Sequence, residues 1–163
     1  MKIAARPSAD TLAVLADVVG ELELVAGHSL REFRDGVYVR RAAERLVQLA
    51  VDLAGEVALR SLHAAGKRLP ESCAEIFRDL AKAGLLAEPM AEKMAGAVDL
   101  RQRILLGWGG FDSSSVDPDE ELHRRLPFLV VLLREFGRRM EEGGEHGQLR
   151  WPRWRLSPNA DKA

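Results

Sequence analysis

The sequence predicts an all-α protein of five helices followed by a short C-terminal tail. Three observations lead there. Apolar residues recur at spacings of three, four and seven along five separate stretches, which is the period of one face of a helix. Residues that start or stop helices bound these stretches. No stretch alternates apolar and polar residues as a half-buried strand would.

The first helix is expected from Ser8 to about Phe33, started by Pro7 and Ser8, with Leu12, Leu15, Val19, Leu22 and Ala26 along one face. Asp35 and Gly36 interrupt the pattern. After Tyr38, Val39, Ala42, Leu46, Leu49, Leu53 and Val57 define a long second helix reaching about Leu62. Gly66 to Pro70 reads as a loop. Ser72, followed three residues later by Glu75, has the spacing of a capping box, in which each side chain satisfies an orphan amide at the helix start. The third helix ends at Lys82 or Ala83, where Gly84 suits a C-terminus, and Pro89 suits the first turn of the fourth because its missing amide proton would have no partner there.

The fourth helix carries Met90, Met94, Val98 and Leu105 on one face, with Arg101 on the same stripe. A guanidinium there must be paired, or must border a cleft or a partner surface, because an unpaired buried charge is too costly to keep. Gly107, Trp108, Gly109 and Gly110 end this helix. Asp117-Pro118-Asp119-Glu120 starts the fifth, with an acceptor cap, a proline and two acids against the positive end of the helix dipole. Leu122, Leu126, Leu129, Leu133, Phe136 and Met140 then alternate spacings of four and three, the seam of an antiparallel bundle. Past Met140 the period vanishes, so residues 1–140 are expected to form the domain and 141–163 a flexible or partner-docked tail.

With 163 residues, 47% of them hydrophobic, the chain can build one real core. Charged residues make up 30% and nearly cancel at a net charge of -1, so no global field marks a nucleic-acid or membrane-surface binder, and any RNA contact would be a local patch. The single cysteine, Cys73, excludes an internal disulfide and suits a reducing cytoplasm, where it is expected to be a small core residue. Arg6, Pro7, Asp10, Asp17 and Glu21 interrupt the N-terminal stretch, so neither a signal peptide nor a membrane span is expected and the chain reads as cytoplasmic.

Three blocks carry a family resemblance: YVRRAAERLVQLAVDLAGEV from Tyr38, LPESCAEIFRDLAKAGLL with its Pro-Glu-Ser turn, and MAGAVDLRQRILLGWGGFDSSSVD from Met94 to Asp117. Together they resemble the HepT-like branch of the HEPN superfamily, ribonuclease toxins paired with minimal nucleotidyltransferase antitoxins. The resemblance implies a five-helix, mostly antiparallel, up-and-down HEPN-type bundle acting as a homodimer, with RNA as substrate and a composite cleft where an arginine and a histidine of each protomer meet. Cleaving RNA through its own 2'-hydroxyl needs a group that moves protons and a cation beside the charge gathering on phosphorus oxygens. Arg101 matches the motif arginine. Gln102 stands where the family has asparagine, Leu106 where it has histidine and Trp108 where it has tyrosine. Leucine carries no proton, so the resemblance implies a degenerate motif and an RNA- or partner-binding homologue that does not cut. In related systems the antitoxin attaches nucleotide to that tyrosine, and Trp108 offers no hydroxyl for it.

Two alternatives stay open. One is an active, metal-independent endoribonuclease using Arg101 with an unaligned histidine such as His123; the other is a nucleotidyltransferase-binding subunit without RNA affinity. Arg101 either binds phosphate in a dimer cleft or makes an ion pair across the interface. Gln102 holds Arg101 or an RNA group, or is incidental. Trp108 anchors the loop or the dimer, or stacks on a base. His123 reads as an exposed helix-start residue. The group Arg31, Arg34, Arg40, Arg41 and Arg45 is interleaved with Glu32, Asp35 and Glu44 and reads as a salt-bridged, solvated face. In the tail, Trp151, Arg153 and Trp154 can stack on bases and neutralise phosphates, or plug an apolar groove on a partner, the role preferred here. No pair of histidines, cysteines or acids has zinc-like spacing, so no metal or cofactor is expected.

Overall fold

A computed structural model of the chain describes residues 9–108 and 117–143. Among them the structure has no strand and six α-helices: α1 (Ala9–Ala26), α2 (Leu30–Asp35), α3 (Val37–Ala64), α4 (Cys73–Lys82), α5 (Glu88–Leu105) and α6 (Pro118–Gly143). The all-α class stands, and the count of five becomes six because the expected first helix is cut in two. The cut is a capping box. Ser29 Oγ accepts from the Glu32 amide at 3.2 Å, and the Glu32 carboxylate accepts from the Ser29 amide at 2.8 Å. That amide and the Ser29 hydroxyl hold the Glu32 carboxyl below its ordinary value.

α2 buries Phe33 completely and stops at Gly36, whose amide reaches the Glu32 carbonyl at 2.9 Å. A Cβ at Gly36 would lie 2.6 Å from that same carbonyl oxygen, so only glycine lets the chain enter α3 so soon. A Gly36→Ala variant is therefore expected to lose about 1–3 kcal/mol, read as a lower urea midpoint at unchanged slope.

α3 is the centre of the bundle and packs against each of the other five helices. It presents Ala43, Val47, Ala50, Ala54, Val57, Ala58 and Leu62, all fully buried, and these small residues let neighbouring helices approach closely. Every residue of the expected seam on α6, from Leu122 to Met140, is buried. The helix runs through Pro127, which supplies no amide to the His123 carbonyl one turn back.

At the other termini, Ser72 Oγ accepts from the Glu75 amide at 3.3 Å, one arm of the expected box. Gly84, at φ 75°, ends α4, with the Leu85 amide on the Leu80 carbonyl at 2.9 Å. Cys73 is exposed, not a core residue: it is the first residue of α4, and the buried face of that helix begins at Ile76.

Two carboxylates lie under the surface. Glu44 is held by Arg41 at 2.7 Å and Arg40 at 3.3 Å, and Glu121 by Arg124 at 2.5 Å and Arg125 at 2.6 Å. The Arg124 hydrogen bond keeps the Glu121 carboxyl below its ordinary 4.5. An acid whose folded-state pKa is depressed stabilises the fold above its unfolded value and loses that contribution as pH falls through the folded one. The melting temperature is accordingly expected to fall as pH drops below 4.5, and Arg124→Ala with Arg125→Ala should make this acid limb shallower.

Candidate nucleic-acid interface

α5 places Arg101 at the margin of the core, not on the buried stripe. Its buried face consists of Ala91, Met94, Ala95, Ala97, Leu100 and Ile104, whereas Met90 and Val98 are half-buried and Leu105 is exposed. The Arg101 side chain is 25% exposed and pairs with Asp52 of α3: Nη2 donates to one carboxylate oxygen at 3.2 Å, and Nε lies 2.6 Å from the other. The Nε contact is a charge contact without hydrogen-bond alignment. The ion pair expected across a subunit interface is thus made within one protomer, because α3 and α5 lie side by side.

Gln102 is exposed and does not hold Arg101. Sequence reasoning missed Asp52. It lies 49 residues before Arg101, and no local pattern announces a pair at that separation.

The end of α5 is built by its backbone. The Gly107 amide bonds the Ile104 carbonyl at 3.1 Å and the Trp108 amide bonds that of Arg103 at 2.9 Å, a Schellman closure with Gly107 at φ 62°. Trp108 continues the left-handed turn at φ 63°, a conformation that costs a non-glycine residue about 1–3 kcal/mol. Its half-buried indole packs against the core and offsets that strain, which supports the anchoring role. The indole Nε1 is buried with no hydrogen-bond partner among the described residues. Leu106, the C-cap, is 53% exposed, so the motif's histidine position faces solvent and carries a side chain that moves no proton.

His123 is not an exposed helix-start residue. It is half-buried, its Nε2 meets the His28 carbonyl oxygen at 2.8 Å, and its ring stands edge-on to Phe33 with centroids 5.7 Å apart. The carbonyl requires Nε2 to be the protonated nitrogen, which ties the imidazole to the junction of α1 and α2. His63 is exposed in the last turn of α3. His146, Trp151, Arg153 and Trp154 lie outside the described residues, as do Gly109 to Val116.

The arginine group resolves into pairs and a stripe. Arg34 pairs with Asp117 and with Glu120 at 3.5 Å, and Arg40 reaches Asp119 at 3.0 Å. These contacts fasten the start of α6 to α2 and α3. Asp117 also caps the helix by accepting from the Asp119 amide at 2.9 Å. Its carboxyl is held below the ordinary range, first by Arg34 and then by that amide.

Along α3, Tyr38, Arg41, Arg45, Gln48 and Asp52 follow at spacings of three and four and so share one face, which ends at the Arg101 pair. Tyr38 is 90% exposed and Arg41 and Arg45 are exposed as well. An open phenol ring beside guanidinium groups can stack on a base and neutralise phosphates. The expected salt-bridged face holds for Arg31, 3.5 Å from Asp35, and for Arg41, 2.7 Å from Glu44. The helical face separates Arg45 from Glu44, which turns inward.

Comparison with known proteins follows this geometry. No curated relative matches the chain by sequence. Among solved structures, a chain of a toxin–antitoxin complex with AMP-PNP superposes with a TM-score of 0.70 at 13% identity, covering 86% of this chain and 99% of its own. A chain from the complex of a tri-AMPylated Shewanella oneidensis HEPN toxin with its MNT antitoxin gives a TM-score of 0.70 at 13% identity, covering 87% and 99%. Both share the helical fold. The sequence pattern described as ribonuclease HepT-like matches residues 15–135, and the chain belongs to that family.

Proposed function

We propose that this chain is the toxin-side subunit of a HEPN and minimal nucleotidyltransferase pair, a cytoplasmic homodimer that binds RNA without cleaving it. The observation that carries the absence of cleavage is Leu106, which occupies the motif's histidine position at the solvent-exposed cap of α5, five residues after Arg101. The α3 stripe supports RNA as ligand, with Tyr38 to stack and the exposed Arg45 to neutralise phosphate. Arg101, already engaged by Asp52, orders the junction of α3 and α5. Both similar structures come from toxin–antitoxin complexes, which supports a nucleotidyltransferase partner. Among the described residues no helix is long and apolar enough to cross a membrane, in keeping with this reading.

Fluorescence anisotropy with labelled RNA across a salt series tests it. Tyr38→Ala is expected to weaken binding about tenfold or more, the worth of one base stack. Arg45→Ala should lower the salt slope by about one. A nucleotidyltransferase that co-purifies with a chain lacking salt-dependent RNA binding would favour the interaction-subunit reading instead.

A further inference from the structure

Of the six helices, α1 alone has no lysine or arginine: its four charged residues, Asp10, Asp17, Glu21 and Glu23, are all acidic. Glu23 is taken up by Arg134 of α6 at 2.8 Å. Asp10 and Glu21 are exposed and have no ion pair among the described residues. Together with Val14, Asp17 and Leu24 they follow at spacings of three and four, on the face opposite the buried Leu15, Val19 and Leu22. Val14 is 45% and Leu24 74% exposed, so open apolar surface lies among acids that no cation of the described fold neutralises.

The start of α1 lies near the end of α6. Thr11 is 3.5 Å from Arg60 of α3, and the next residue of α3, Ser61, meets Met140 Sδ at 3.9 Å. The chain therefore leaves α6 at Gly143 beside the first turns of α1. Residues 144–163 follow, outside the described residues, and include Arg150-Trp151-Pro152-Arg153-Trp154-Arg155, with three cations, two large rings and no acid.

We propose that this segment docks on the outward face of α1 of its own chain. Charge complementarity selects the occupant: the arginines meet Asp10, Asp17 and Glu21 in charge-assisted hydrogen bonds, and the tryptophans cover Val14 and Leu24. The chain reaches, since the seven residues from Gly143 to Arg150 span about 24 Å when extended, and α1 from Asp10 to Leu24 is about 21 Å long. A tether of this length holds even a weakly bound segment, because it supplies an effective concentration on the order of mM. Faces that present arginine repel the same segment, as α6 does with Arg124, 68% exposed, and α3 with Arg45. Docking on α1 leaves the α3 stripe and the cap of α5 uncovered, so it holds whether or not RNA binds.

Limited trypsin digestion of the full chain at low salt, read by mass spectrometry, tests this docking. The bonds after Arg150, Arg153 and Arg155 are expected to be cut slowly in wild type, at a rate that does not change with chain concentration. Leu24→Asp, and separately Asp10→Arg with Glu21→Arg, should each raise the rate after Arg153 about tenfold or more, as loss of an anchoring contact does. All these sites are exposed, so circular dichroism should keep the wild-type helix content. Equal rates in wild type and both variants, protection that grows with chain concentration as a second copy's tail would give, or protection that requires added RNA would each overturn the proposal.

Discussion

Restoring the missing imidazole with Leu106→His is expected to produce cleavage of a labelled RNA pool that wild-type protein leaves intact. The gain should be ~10²- to 10⁴-fold in single-turnover rate, the usual worth of a positioned proton carrier. Leu106 is suited to the change: it is 53% exposed, at φ -81° and ψ 7°, so histidine replaces it without strain or loss of core packing. The cation is already in place, since the Arg101 guanidinium is tied to Asp52 at 2.6 Å. Adding Arg101→Ala to Leu106→His should abolish the new activity, which separates restored chemistry from a contaminating nuclease. Cleavage by wild type that Arg101→Ala removes would show that the proton carrier is elsewhere, and the non-cleaving reading would fall.

Phe136→Ala is expected to cost about 3–5 kcal/mol, the range for truncating a fully buried phenylalanine. The ring is fully buried and meets Phe77 edge-to-face, with centroids 5.6 Å apart and planes at 83°. It thereby joins the last helix to α4, which is distant in the chain, and its loss leaves a cavity that neither backbone can close. Against a typical total of about 5–15 kcal/mol, chemical denaturation should show a midpoint lowered by about a fifth or more. A midpoint within the range of surface substitutions would mean that the two rings do not share one cooperative core.

The helical class, the boundaries of α3 to α5, the start of α6, the seam from Leu122 to Met140 and the cap at Asp117 were legible in the sequence because each depends on neighbours within one or two turns, whereas α6 runs on to Gly143, past the expected end at Met140. Periodicity and capping act over that range. The split of the first helix was also written locally, in Ser29 and Glu32, but the strong apolar period running from Leu12 to Ala26 masked it. Family membership was legible as well, since the blocks from Tyr38 to Asp117 keep their order and spacing.

Pairings between distant segments were not legible. Asp52 and Arg101, Arg34 and Asp117, and His123 and the His28 carbonyl join residues 49, 83 and 95 positions apart, and nothing in either local pattern names its partner. The fold also decided that Arg101 sits at the core's margin, because the rotation of α5 about its axis is set by how Leu100 and Ile104 pack, not by the period alone. The sequence by itself determined which helices form, to which family they belong and that Leu106 cannot move a proton. Only the tertiary structure decided which charges are spent on one another and which face, along α3, turns to solvent, because burial and ion pairing depend on which faces the packed helices turn toward each other.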